Sequence, residues 1–154
     1  MTTTTTAEVL FYHLERTPLE RVLPELLEKT LERGWRAVVQ GGSQERLGAL
    51  DASLWTYRED SFLPHGTAED GATEQQPIYL TTDSDVPNGA SVKFCVDGAQ
   101  PTEFDGFERI VFLFDGHDDG AVEKAREQWA KIKDAGLQAT YWQQDDQGKW
   151  QKKA

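Results

Sequence analysis

The sequence has little of the chemistry from which small secreted modules and hydrolytic enzymes are built. It has one cysteine, Cys95. A single thiol excludes an internal disulfide and any CxxC metal site. Cys95 lies in VKFCV, an apolar strand-like run, and reads as a buried, inert thiol. No apolar run approaches the ~20 residues of a membrane-spanning helix. The opening MTTTTTAEVLFYHL has no basic segment and no signal cleavage pattern, so a cytoplasmic protein is expected, with residues 1–7 as a flexible tail. There are three histidines, and none has a Ser or Cys near it in the pattern of an activated nucleophile.

Positive charge is also scarce. Sixteen Lys and Arg stand against 27 Asp and Glu, a net charge of −11. Such a chain repels phosphate backbones, which argues against strong direct DNA binding. The imbalance is uneven. From Val122 to Ala154 seven basic residues face five acidic ones, a net of +2, and the remainder carries −13. A locally basic end on an acidic protein suits a small acidic partner better than a nucleic acid.

What is present is a regular alternation of elements. At 154 residues one domain is expected, spanning the whole chain, and it buries roughly 70% of its unfolded surface. EVLFYHL (8–14) reads as a buried strand. Thr17 and Pro18 read as the N-cap and first residue of a helix whose leucines repeat at helical spacing to Gly34, with Pro24 expected to kink it. WRAVVQ (35–40) is the next strand, GGS (41–43) a turn, and SQERLGALDASLW a second helix with Leu47, Leu50 and Leu54 on one face. Residues 65–76 are expected as a mobile loop. PIYLTT (77–82), SVKFCVD (91–97) and the very apolar ERIVFLFDG (108–116) follow as strands, the last expected at the centre. Asp118 or Asp119 caps a helix over about 119–135, closed by Gly136, and a DDQG turn joins a final strand or hairpin. This order predicts an α/β domain with a largely parallel sheet flanked by helices.

Two places could host catalysis. The 41–43 turn sits where phosphate-binding loops sit, but lacks the Lys-Ser/Thr of a P-loop and the GxGxxG spacing. Asp115, His117, Asp118 and Asp119 lie at the carboxyl end of a strand and could hold a divalent ion; helix capping is the preferred reading. No metal or cofactor is expected. A small nucleotide-binding enzyme using both places stays as the alternative.

The last helix offers a binding face. Val122, Ala125, Trp129 and Ile132 fall in one stripe, with Arg126 and Lys133 at its edge and Lys124 and Lys131 opposite. A guanidinium beside an aromatic is what an acidic peptide needs, although a core helix with a basic rim has the same pattern.

LDASLWTYREDSFLPHG (50–66) is a different kind of segment, with Trp55 and Phe62 around a proline-stiffened loop. Through Leu50, Asp51, Leu54, Trp55, Ser61, Phe62, Pro64 and His65 it resembles the signature region of the chi subunit of bacterial DNA polymerase III holoenzyme. The likeness extends over about residues 8–142, including FYHL, LLEKTLERGWRAVV and AREQWAKIKDAG. It implies a three-layer, Rossmann-like fold and a non-catalytic accessory role in DNA replication at the nucleoid. It implies a link between the clamp-loader complex and the acidic C-terminal tail of single-stranded-DNA-binding protein. The tail site would comprise Val122, Arg126, Trp129 and Lys133. A family basic position falls on Ala130, a departure for which Lys131 or Lys133 compensates, the wheel favouring Lys133. Trp55, Phe62, Leu63 and Pro64 would face a psi subunit or another replication or helicase partner, as an aromatic anchor; the competing reading is that Trp55 caps the core and Phe62 pins the loop.

Overall fold

The computed structural model describes residues 7–15, 17–56, 65–67, 73–82, 88–99 and 107–154. Among the described residues eight strands form one sheet: β1 (Glu8–Leu14), β2 (Ala37–Gln40), β3 (His65–Thr67), β4 (Ile78–Thr81), β5 (Val92–Cys95), β6 (Arg109–Asp115), β7 (Ala139–Gln144) and β8 (Trp150–Lys152). The α-helices of the described residues are α1 (Leu19–Glu32), α2 (Gln44–Thr56) and α3 (Asp119–Asp134). The strand order is β3-β4-β2-β5-β6-β1-β7-β8. The first seven pair in parallel, and β8 returns antiparallel to β7. β6 lies between β5 and β1, central as its apolar sequence predicts.

Alternation along the strands sorts side chains onto two faces. On one face Leu10, Leu14, Val111 and Leu113 pack with Leu23 and Leu27 of α1 and Leu47, Leu50 and Leu54 of α2. On the other, Val9, Phe11, Ile110 and Phe112 pack with Ala125 and Ile132 of α3. Each such Leu, Ile or Phe contributes roughly 1.5–3 kcal/mol by burial. The result is the expected three-layer α/β arrangement, compatible with a Rossmann-like fold.

Several local expectations are revised. Thr17 does not cap α1. Its backbone N–H donates to Gln144 Oε1 at 3.2 Å and its hydroxyl accepts from Gln144 Nε2 at 2.9 Å, which draws it toward β7. Pro18 takes the cap position with extended backbone and no side-chain hydrogen bond. As expected, Pro24 sits inside α1 without ending it. Residues 65–76, read as loop for want of large apolar side chains, contribute the edge strand β3 and a 3-10 turn at Thr73–Gln75. Ala7, assigned to the tail, directly precedes β1 and is buried in the core on the α3 side.

Candidate functional site

Asp118 starts α3 as the sequence suggests: its carboxylate accepts from the N–H groups of Gly120 (3.0 Å) and Ala121 (3.2 Å). Gly136, with φ of 78°, follows the helix end. Between these stops the buried stripe is Ala125, Gln128 and Ile132. Val122, Arg126, Trp129 and Lys133 lie along one flank, at spacings of four, three and four. Val122 and Trp129 are half-buried; Arg126 and Lys133 are exposed.

Trp129 is neither a free surface ring nor a fully buried one. It meets Phe11 of β1 edge-on at 5.4 Å between centroids and Tyr141 of β7 at 6.0 Å. Lys133 Nζ lies 5.4 Å from its ring centroid, a cation–π arrangement. Phe11, Trp129 and Tyr141 therefore form an aromatic floor with cations at its edge.

Tyr141, His13 and Glu15 extend this flank. The Tyr141 hydroxyl lies 2.6 Å from His13 Nδ1. His13 Nε2 faces the Glu15 carboxylate at 3.2 Å, and that carboxylate accepts from Gln143 Nε2 at 2.7 Å. Burial pushes the Tyr141 phenol up, against the opposing pull of Arg126. Burial pulls the His13 imidazole down, with Glu15 opposing and His117 and Arg126 reinforcing. A methyl group on Gly116 would run into the His13 ring, so the turn after β6 requires glycine there. None of the three was singled out from sequence as part of this site. The signal was the alternation in ATYWQQ, which puts Ala139 and Tyr141 on the α3 face and Trp142 on the other.

Of the other predicted residues, Trp55 lies in the last turn of α2. Its side chain and all of Phe62, Leu63 and Pro64 lie outside the described residues. Two further residues of that motif meet: His65 Nε2 lies 3.1 Å from the Asp51 carboxylate and 3.2 Å from the Asp51 carbonyl oxygen. The motif's two ends are thus tied together, which brings β3 against α2.

The 41–43 turn is used for packing. Gly41 N–H donates to the Thr81 carbonyl at 2.9 Å, and the Asp97 carbonyl oxygen stands where a side chain on Gly42 would go. A cavity of about 720 Å³ does open at the carboxyl ends of β1, β5 and β6, between Arg46, Asp97, Asp115 and Lys124, where α/β folds place ligands. Its polar groups are largely committed to one another. Arg46 pairs with Asp97 (3.2 Å) and Glu20 (3.5 Å). Asp115 accepts from the His117 N–H at 2.9 Å, and His117 Nε2 lies 2.8 Å from the Glu15 carbonyl oxygen. No group of three His, Cys, Asp or Glu among the described residues could hold a metal ion. Cys95, which lines the cavity, is buried, with its thiol pushed up to about 12 by desolvation. No helix of the described residues is long and apolar enough to cross a membrane.

The fold and these surfaces define a parallel α/β domain whose aromatic and basic groups collect on the outer flank of a helix. The chain belongs to the family described as DNA polymerase III chi subunit, HolC, whose model matches residues 7–140. It is 32% identical over 81 residues to a protein of Rickettsia prowazekii (strain Madrid E) described as probable DNA polymerase III subunit chi. That match covers 53% of this chain and 49% of the relative, so the chain spans about half the length of the curated relative it matches.

Proposed function

We propose that this chain is a non-catalytic accessory subunit of DNA replication that tethers a DNA polymerase III clamp-loader assembly to the acidic C-terminal tail of single-stranded-DNA-binding protein. Family membership supports the replicase half of this reading. The observation that carries the tail half is Lys133 over the ring of the half-buried Trp129, with Arg126 on the same flank. An apolar terminal side chain would pack against Trp129 and Tyr141, and carboxylates would take Arg126 and Lys133. The mechanism is tethering: several tails on coated single strands raise the local concentration of the attached machinery. Each contact then needs only micromolar affinity, about −8 kcal/mol, and weakens with salt. Trp55, Phe62, Leu63 and Pro64 are assigned to a second partner, a psi subunit or another replication or helicase protein.

The test is a calorimetric titration with the tail peptide of the cognate single-stranded-DNA-binding protein, at low and high salt. Binding should weaken with salt and fall about tenfold or more in Arg126→Ala, with a smaller loss in Lys133→Ala. Absence of binding to a folded protein at about 100 μM peptide would remove the tail site.

A further inference from the structure

A second basic and apolar feature lies on the opposite face of the sheet from α3. A cleft of about 300 Å³ opens between the C-terminal half of α1 and the amino ends of β5 and β6. Its floor is Leu10, Val92, Phe94 and Val111, all members of the core on the α1 side. Tyr12, Leu26 and Trp35 wall it, partly buried. Its charged lining is Lys29, Arg33 and Arg109 against the single carboxylate of Glu32. On a chain of net charge −11, three cations around an apolar floor are a local inversion of sign. Lys29 is in the last turn of α1 and Arg33 caps its end, where the helix dipole favours cations, but both side chains are exposed and remain accessible to a ligand. Arg109 meets Glu8 only at 3.7 Å.

We propose that this cleft is a docking site for an acidic peptide segment that carries one bulky apolar side chain. The apolar side chain fills the floor between Leu10 and Val111. Flanking carboxylates take Arg33 and Arg109, whose planar guanidiniums accept carboxylates in pairs of parallel hydrogen bonds. The volume is at the lower end of ligand pockets and suits one side chain rather than a cofactor. A single-stranded nucleic acid is the competing occupant of any basic and aromatic surface. It is disfavoured because the Trp35 ring is already taken: the Arg33 and Arg109 guanidiniums lie over it at 5.2 and 5.6 Å. Phe94, the aromatic member of the floor, is buried and offers no platform for a base. The site shares no residue with the α3 flank and does not depend on the function proposed there.

The probe is a synthetic peptide of two Asp, Gly, Phe and two Asp, with fluorescein on its N-terminus and an amidated C-terminus, so that it has no free terminal carboxylate. It is titrated into the full chain carrying Arg126→Ala and Lys133→Ala, which silences the α3 flank. Salt-sensitive binding is expected, with a shift of the Trp35 indole N–H resonance. That resonance is assigned by its loss in Trp35→Phe. Adding Arg33→Glu, an exposed change, should weaken binding about tenfold or more. Equal affinity with and without Arg33→Glu, or no response of Trp35 at about 1 mM peptide, overturns the proposal. So does an oligothymidylate that binds more tightly than the peptide and is lost in Arg33→Glu, because the cleft would then be a nucleic-acid site.

Discussion

The Tyr141 hydroxyl and His13 Nδ1 lie 2.6 Å apart, joining β7 to β1 across 128 residues of sequence. When the phenol donates to Nδ1, the ring proton sits on Nε2, which faces Glu15 at 3.2 Å. Burial of the ring favours the neutral imidazole, against the pull of Glu15. Burial holds its pKa below the ordinary value, so the unfolded chain takes up a proton first as pH falls. The stability contribution is complete above the unfolded value of about 6.5 and is lost as pH falls through the folded one. Urea midpoints of the parent should drop between about pH 7 and 5, and His13→Gln should flatten that slope. The same slope in both proteins would refute the assignment.

The GGS turn is predicted to tolerate no side chain at its second glycine. A methyl group on Gly42 meets the Asp97 backbone carbonyl, which cannot swing away as a side chain can. Gly42→Ala should destabilise by about 1–3 kcal/mol, read from urea unfolding. Added nucleoside triphosphate should not change the unfolding midpoint of the parent; a clear rise would restore the turn as a phosphate site.

The Asp118 cap is predicted to hold the first turn of α3, from which Val122 projects. Asp118→Ala should cost about 1 kcal/mol, because the Gly120 and Ala121 N–H groups lose their acceptor. Asp118→Asn keeps an oxygen there and should retain most of the stability. Denaturant midpoints of the two variants separate this capping role from a metal-binding one, which would fail in both when a divalent ion is supplied.

Cys95 is predicted to be chemically silent in the folded protein. With a thiol pKa of about 12, only about one part in ten thousand is thiolate at pH 8. Labelling by a thiol-reactive dye should be slow in buffer and prompt in denaturant. Prompt labelling of the native protein would mean that β5 opens locally.

The periodic features were readable without tertiary information. The apolar run of β6 marks a central strand, Leu47, Leu50 and Leu54 mark the buried face of α2, and Asp118 with Gly136 brackets α3. Each depends on residues a few positions apart, where backbone geometry alone sets the spacing. The Thr17 cap is not formed because Ser/Thr-Pro is a local signal, whereas the competing donor to its hydroxyl, the Gln144 side-chain amide, comes from 127 residues away.

The sequence by itself determined the kinds and order of the elements other than β3 and the 3-10 turn after it, and the flank of α3 that carries Val122, Arg126, Trp129 and Lys133, because helix and strand periods project those side chains whatever the partners. Only the tertiary structure decided which strands are neighbours. That choice sets Tyr141 and Phe11 under Trp129, joins His65 to Asp51, and leaves Trp35 and its two arginines around an open cleft. The physical reason is that these contacts arise from burial shared between distant segments. Burial is non-directional, and a sequence pattern says which face must be covered without saying by what.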